Sequence, residues 1–245
     1  MKFGGKEYES SLHTQSLSVR SEEEQNNVEP YKVTLLRKAI HVLLTQMSAN
    51  EGIKRFGQRA IAAMIKELKQ LNYGAMDGKP VVEPIGPDSI TAKEREEALE
   101  AVNLIKLKRS GDVKGRSCAN GKKQRKYVKE GEIISSPTAA LEAIVAHLLI
   151  AAYEGRHVVV ADIPGAYLHA KMPPGKRVLL KLKGQFVDMM CSINPEYLPH
   201  VRYEGELKVL YLRVLRAIYG CLESALLWYN LYTSTLKIRF RAKSI

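Results

Sequence analysis

Apolar residues recur along most of the chain at two spacings, and those spacings divide it into elements. Residues 1–30 show no hydrophobic period and are dominated by Ser, Glu, Gln and Asn, the composition of a disordered leader. From Tyr31 to Met47, the set Val33, Leu36, Ile40, Leu43, Leu44 and Met47 falls at helical spacing. From Ile53 to Leu71, Phe56, Ala60, Ile61, Met64, Leu68 and Leu71 do the same. Gly74 and Gly78 end that second helix, and Pro80, Pro84, Gly86 and Pro87 keep Lys79 to Asp88 extended. Thr91 and Glu94 make a capping-box pattern. It predicts a helix to about Lys108, acidic early and basic late as the helix dipole favours.

The spacing then changes. Asn120-Gly121 is a hairpin-turn signal, so Lys106 to Lys129 is expected to be an antiparallel hairpin. Ser136-Pro137 suits a helix start, with Leu141, Ile144, Val145, Leu148 and Leu149 carrying the helix to about Tyr153. Gly155 breaks it, and His157 to Ile163 is a β-branched run that suits a strand buried on both faces. Arg177–Leu182 and Leu207–Val214 alternate as strands. Gln185–Ile193 is a short helix followed by an Asn194-Pro195 turn, and Glu223 to about Ile238 is a final amphipathic helix with Leu226, Leu227, Tyr229, Tyr232 and Leu236. This order suits an α+β domain built on an antiparallel sheet with packed helices.

Charge sharpens that picture. Lys and Arg number 38 against 26 acids, a formal net charge of +12. The excess is concentrated in the hairpin, where Lys106–Lys129 holds ten Lys or Arg and one acid, Asp112. Such a balance favours polyanions through counterion release, so nucleic acid is the first partner to consider. The three cysteines, Cys118, Cys191 and Cys221, lack zinc-ligand or redox spacing and suit reduced thiols of an intracellular protein. No secretory signal follows Met1, and the longest apolar stretch, Ala143–Tyr153, is too short to span a bilayer, so no membrane role is expected.

One residue stands out for chemistry. Asp162 ends the apolar run Val158-Val159-Val160-Ala161, where a lone buried carboxylate is costly unless paired, solvated or metal-bound. A strand-end Asp also caps a following turn.

The surrounding blocks bear on that choice. Asp162-Ile-Pro-Gly-Ala-Tyr167-Leu168 resembles the D-x-x-x-A-F/Y-L first catalytic motif of copia-type retrotransposon reverse transcriptases. Val209-Leu-Tyr-Leu-Arg-Val-Leu-Arg-Ala-Ile-Tyr-Gly220, followed by Trp228-Tyr229, is similar to that family's second block. Lys114-Gly115-Arg116 with Gly121 resembles its Y-K-A-R-L-V-A-K-G hairpin, and Ser136-Pro137 its S-P helix opening. The four blocks stand in the family's order over about residues 60–240.

The resemblance implies an RNA-directed DNA polymerase of the right-hand type, with fingers over about 31–136 and a partial palm over about 137–245. Its partners would be an RNA or DNA template-primer and deoxynucleotide triphosphates, and its cofactor Mg²⁺, which prefers oxygen ligands. Asp162 and the backbone carbonyl of Ile163 would be metal ligands. Lys114 and Arg116, two apart on a strand and so on one face, would hold the triphosphate, though a solvated basic face explains them too. Tyr167 would lie under the incoming sugar or else pack in the core. Tyr219 and Gly220 would floor the nucleotide pocket, with Trp228 and Tyr229 in the core.

The chain also departs from the pattern. Two-metal catalysis needs several carboxylates, and the family supplies the others from a Y-V-D-D hairpin beyond the second block. There is no Asp-Asp pair anywhere in the sequence. Phe186-Val187-Asp188-Met189 lacks the second acid and precedes Tyr219-Gly220, the wrong order. Leu222-Glu223-Ser224-Ala225-Leu226 replaces a frequent K-Q-A-P-R, and the basic stretch from Lys237 to Ile245 replaces a small-residue turn. The expectation is a reverse-transcriptase fragment that is inactive alone. The alternatives are a basic nucleic-acid-binding module without chemistry and a nonfunctional transposon remnant.

Overall fold

Period-two segments meet in one mixed sheet of seven strands: β1 Gln46–Ser48, β2 Val82–Pro84, β3 Leu99–Leu107, β4 Val113–Ala119, β5 Leu179–Lys183, β6 Arg202–Glu204 and β7 Leu207–Val214. The computed structural model describes residues 46–74, 77–128 and 132–240, all within the unit that starts at Gln46. The strand order is β1-β3-β5-β7-β2, with β4 added to β3 and β6 to β7. Every pairing is antiparallel except β3–β5, where Leu99 and Glu100 lie parallel to Leu180 and Lys181. The expected antiparallel sheet is therefore a mixed one, within a mixed α and β fold.

Six α-helices accompany it among the described residues: α1 Ala49–Phe56, α2 Gln58–Tyr73, α3 Ala92–Glu97, α4 Leu141–Tyr153, α5 Gln185–Ile193 and α6 Ser224–Phe240. The core forms where α2 and α5 meet the sheet. Ala60, Met64 and Leu68 of α2, Val187 and Met190 of α5, Leu180 and Leu182 of β5, and Leu210 and Leu212 of β7 are all essentially inaccessible to solvent. Tyr197 is buried among them and donates to Asn72 Oδ1 at 2.7 Å, and burial pushes its phenol up to about 12. On the other face of the sheet Ile90, Ala98, Leu179, Val209 and Tyr211 make a smaller apolar cluster.

The segments expected at β5, α5, β7 and α6 appear at or within a few residues of their expected bounds. Others differ for identifiable reasons. The helix expected over 53–71 begins at Ala49 and is broken by Gly57 (φ 54°, ψ −128°), a conformation that glycine adopts without steric cost. The Thr91–Glu94 capping box forms in full, but its helix ends at Glu97. Beyond it Leu99, Ala101, Asn103, Ile105 and Leu107 turn inward in alternation, and ladders to β1, β4 and β5 outweigh helix propensity.

The basic hairpin exists, but its turn is at Lys108–Asp112, where Lys108 N donates to Asp112 O at 2.8 Å. Asn120-Gly121 instead opens a 3₁₀ turn over Gly121–Tyr127, with Asn120 Oδ1 accepting from Lys122 N. Helix α4 starts at Leu141, not at Ser136-Pro137, and has no side-chain cap. Residues 157–163 pair with no described strand. Val159 and Val160 are 85% and 93% exposed, so the expected buried strand is absent: an apolar run becomes a strand only with a ladder partner. Helix α6 is not amphipathic, and Tyr229 and Tyr232 lie exposed on it. Gln46 and Met47 are strand residues. The rest of the helix expected from Tyr31, and the leader over 1–30, lie outside the described residues.

Candidate nucleic-acid interface

The second sequence block returns the chain to the end of β4. The Tyr219 carbonyl accepts from Ala119 N at 2.7 Å, continuing the outer edge of that strand. Gly220 (φ 93°) then passes so close that a Cβ there would lie 1.9 Å from the Ala119 carbonyl oxygen, and one on Gly121 would lie 2.1 Å from the Gly220 oxygen. Only glycine fits at either place. The two glycines, far apart in sequence, are one backbone crossing. Gln124 secures it by accepting from Leu222 N at 3.0 Å.

This crossing carries the Tyr219 ring to Tyr167, with ring centroids 4.8 Å apart and planes tilted by 41°. Tyr167 lies on the 3₁₀ turn Ala166–His169, which enters through left-handed Gly165 and packs against α6. There His169 sits 6.1 Å from the half-buried Trp228, which stacks on Tyr232 at 5.6 Å. Tyr229 is outside the core.

Electrostatics show what surrounds this aromatic pair. The Tyr219 phenol is held above its ordinary range, first by burial, then by the neighbouring Tyr167, Glu67 and Asp162, with Arg116 opposing. Asp162, Tyr167, Arg116 and Tyr219 therefore share one neighbourhood. Asp162 itself is exposed, on unpaired chain instead of at a strand end, and has no hydrogen bond or ion pair among the described residues. Ile163 is partly buried.

Lys114 and Arg116 both point to the exposed face of β4, as their spacing requires. Lys114 is directly opposite Lys106 on β3, a like-charge pair that disfavours itself unless an anion intervenes. Neither Lys114 nor Arg116 has a carboxylate within ion-pair distance among the described residues.

Two features of the site, Glu67 and Arg216, escaped the sequence reading. Glu67 of α2 is half-buried and accepts from Ser117 N at 3.4 Å. Burial holds its carboxyl above the ordinary range, while Ser117, Lys114 and Arg116 pull the other way. Arg216 is buried and donates to the Leu168 carbonyl at 3.1 Å and to Asp77 Oδ2 at 2.7 Å, pinning the turn that bears Tyr167. Glu223, the acid already noted within Leu222–Leu226, pairs with Lys176. A charge inside an apolar run was the only available signal for Arg216. Glu67 had none, because its neighbours come from a strand some fifty residues away.

The donors expected to hold Mg²⁺ do not fit a two-metal centre. Among the described residues no group of three or more His, Cys, Asp or Glu is placed to hold a metal ion, and Asp162 is exposed. Asp188 lies on α5, where it accepts from Lys208 at 2.6 Å. No described helix is long and apolar enough to cross a membrane. No family model matches the chain, and neither a curated protein nor a solved structure matches it.

Proposed function

We propose that the chain is a copia-type reverse-transcriptase fragment that binds nucleic acid through its basic hairpin and does not polymerise by itself. The observation that carries the binding half of this reading is the outward-facing set Lys106, Lys114 and Arg116, without an ion pair among the described residues, beside the Tyr167–Tyr219 pair. Cations disposed along a strand meet phosphates, and aromatic rings at their end offer a surface for a base or sugar. The family half rests on the four sequence blocks in order, of which two meet at Tyr167 and Tyr219. The inactive half rests on the missing Asp-Asp pair and on the single exposed carboxylate at Asp162. In this reading Lys114 and Arg116 position phosphate, Tyr219 and Gly220 form the floor beside them, and Asp162 and the Ile163 carbonyl are remnants of a metal site.

Primer extension with the purified chain, a primed template, deoxynucleotides and Mg²⁺ tests the absence of catalysis. The expected product equals that of Asp162→Asn, and incorporation above that control overturns it. Binding is tested separately by titrating salt. Affinity for single-stranded nucleic acid should fall steeply with ionic strength, with little dependence on sequence, and weaken when Lys114 and Arg116 become Ala.

A further inference from the structure

The outer edge of β4 explains why Glu67 is where it is. Among the described residues β4 pairs only with β3, so alternate amides of its other edge need acceptors from elsewhere. Ala119 N finds the Tyr219 carbonyl, and Ser117 N finds Glu67 Oε1 at 3.4 Å. Gly115 allows this reach. A Cβ there would lie 2.6 Å from the Ala63 carbonyl oxygen, so only its absence lets α2 approach closely enough for Glu67 to reach around the strand. The carboxylate thus sits at the rim between the buried face of β4 and the face bearing Lys114 and Arg116, and both cations act on it electrostatically.

We propose that Glu67 is the resident anion of the basic hairpin: lodged on the Ser117 amide, it competes with incoming phosphate for Lys114 and Arg116 and limits how tightly nucleic acid is held. This rests on the reading that the hairpin is the binding surface. Glu67 is a positioning and tuning residue, not a catalytic one. A neutral amide at this position keeps an oxygen for the Ser117 N–H and removes the competing charge.

The test is fluorescence anisotropy of a labelled oligothymidylate with the full chain at several salt concentrations. Glu67→Gln is expected to tighten binding about two- to fivefold at low salt, the range of an exposed charge coupling. The gain should vanish when Lys114→Ala and Arg116→Ala are also present. Glu83→Gln makes the same change in net charge at the far end of the strand order, where Glu83 pairs with Arg213, and should not reproduce the gain. Should Glu67→Gln melt non-cooperatively, Glu67→Ala takes its place under the same expectation. Unchanged or weaker binding by the Glu67 variant, with Lys114 and Arg116 still required, overturns the inference alone. A gain equal to that of Glu83→Gln also overturns it. Binding indifferent to Lys114 and Arg116 overturns the underlying reading instead.

Discussion

Helices α2 and α4 are both rich in apolar residues, yet they meet opposite fates. In α2, Ala60, Met64 and Leu68 are fully buried because β4 and α5 lie against them. In α4, the more apolar of the two, only Ala151 is buried, and Leu141 and Leu149 are 70% and 66% exposed. The strands repeat the contrast. Val209 to Leu212 lie between ladders and are buried, whereas Val158 to Val160 have no ladder among the described residues and lie open. Apolar sequence is thus a capacity for burial, realised only where another element is placed opposite. Exposed apolar surface of this kind marks contact with further polypeptide in many proteins.

The largest effect that would break this contrast is a pair of truncations. Leu212→Ala removes a fully buried side chain and is expected to cost about 2–5 kcal/mol. Leu148→Ala, about half exposed on α4, is expected to stay within about 0.5 kcal/mol. Equilibrium denaturant unfolding measures both. Equal costs would mean that α4 is packed as well as the sheet.

A polar change inside the core comes next. Tyr197→Phe removes the donor to Asn72 and leaves a buried amide oxygen without its partner, at an expected cost of about 1–3 kcal/mol by the same measurement. A neutral result would show that the Asn72 side chain can turn toward another donor.

How much of this was legible in the sequence follows the same division. β5, α5 and β7 could be read because their patterns agree with their surroundings: alternation where one sheet face differs from the other, helical spacing where one side meets the core. The Thr91 capping box was legible as local chemistry, while the end of its helix was not, since Leu99–Leu107 reads plausibly as either element until its ladders are known. Residues 157–163 misled for the complementary reason. A β-branched run reports stiffness and apolarity, and neither says whether a partner strand exists. Tyr167, Tyr219 and Gly220 were singled out through motif order, but the reason for Gly220 is a close crossing with Ala119 that no local pattern encodes.

The smallest expected effect separates two kinds of carboxylate within the packed half. Glu100 is held below its ordinary range chiefly by Lys183, and Glu204 chiefly by Lys181 and then by the Tyr211 hydroxyl. A lowered folded-state pKa gives stability that is present above the ordinary carboxylate range and lost as pH falls through the folded value. Glu67 has the opposite sign. Burial raises its folded pKa, so its ionised form opposes folding at neutral pH, and that penalty lifts as pH falls through the raised value toward the ordinary one. Thermal melts between neutral and acid pH should therefore show two converging differences. Glu204→Gln should melt below the parent at neutral pH, and Glu67→Gln at or above it, with both gaps closing on acidification. The exposure of Glu204 keeps its shift small. A Glu67→Gln advantage that instead grew with acid would mean that the carboxylate is stabilised by Lys114 and Arg116 more than burial opposes it. The hairpin would then already hold its anion firmly, and the contrast between a satisfied core and an unsatisfied basic face would lose its sharpest example.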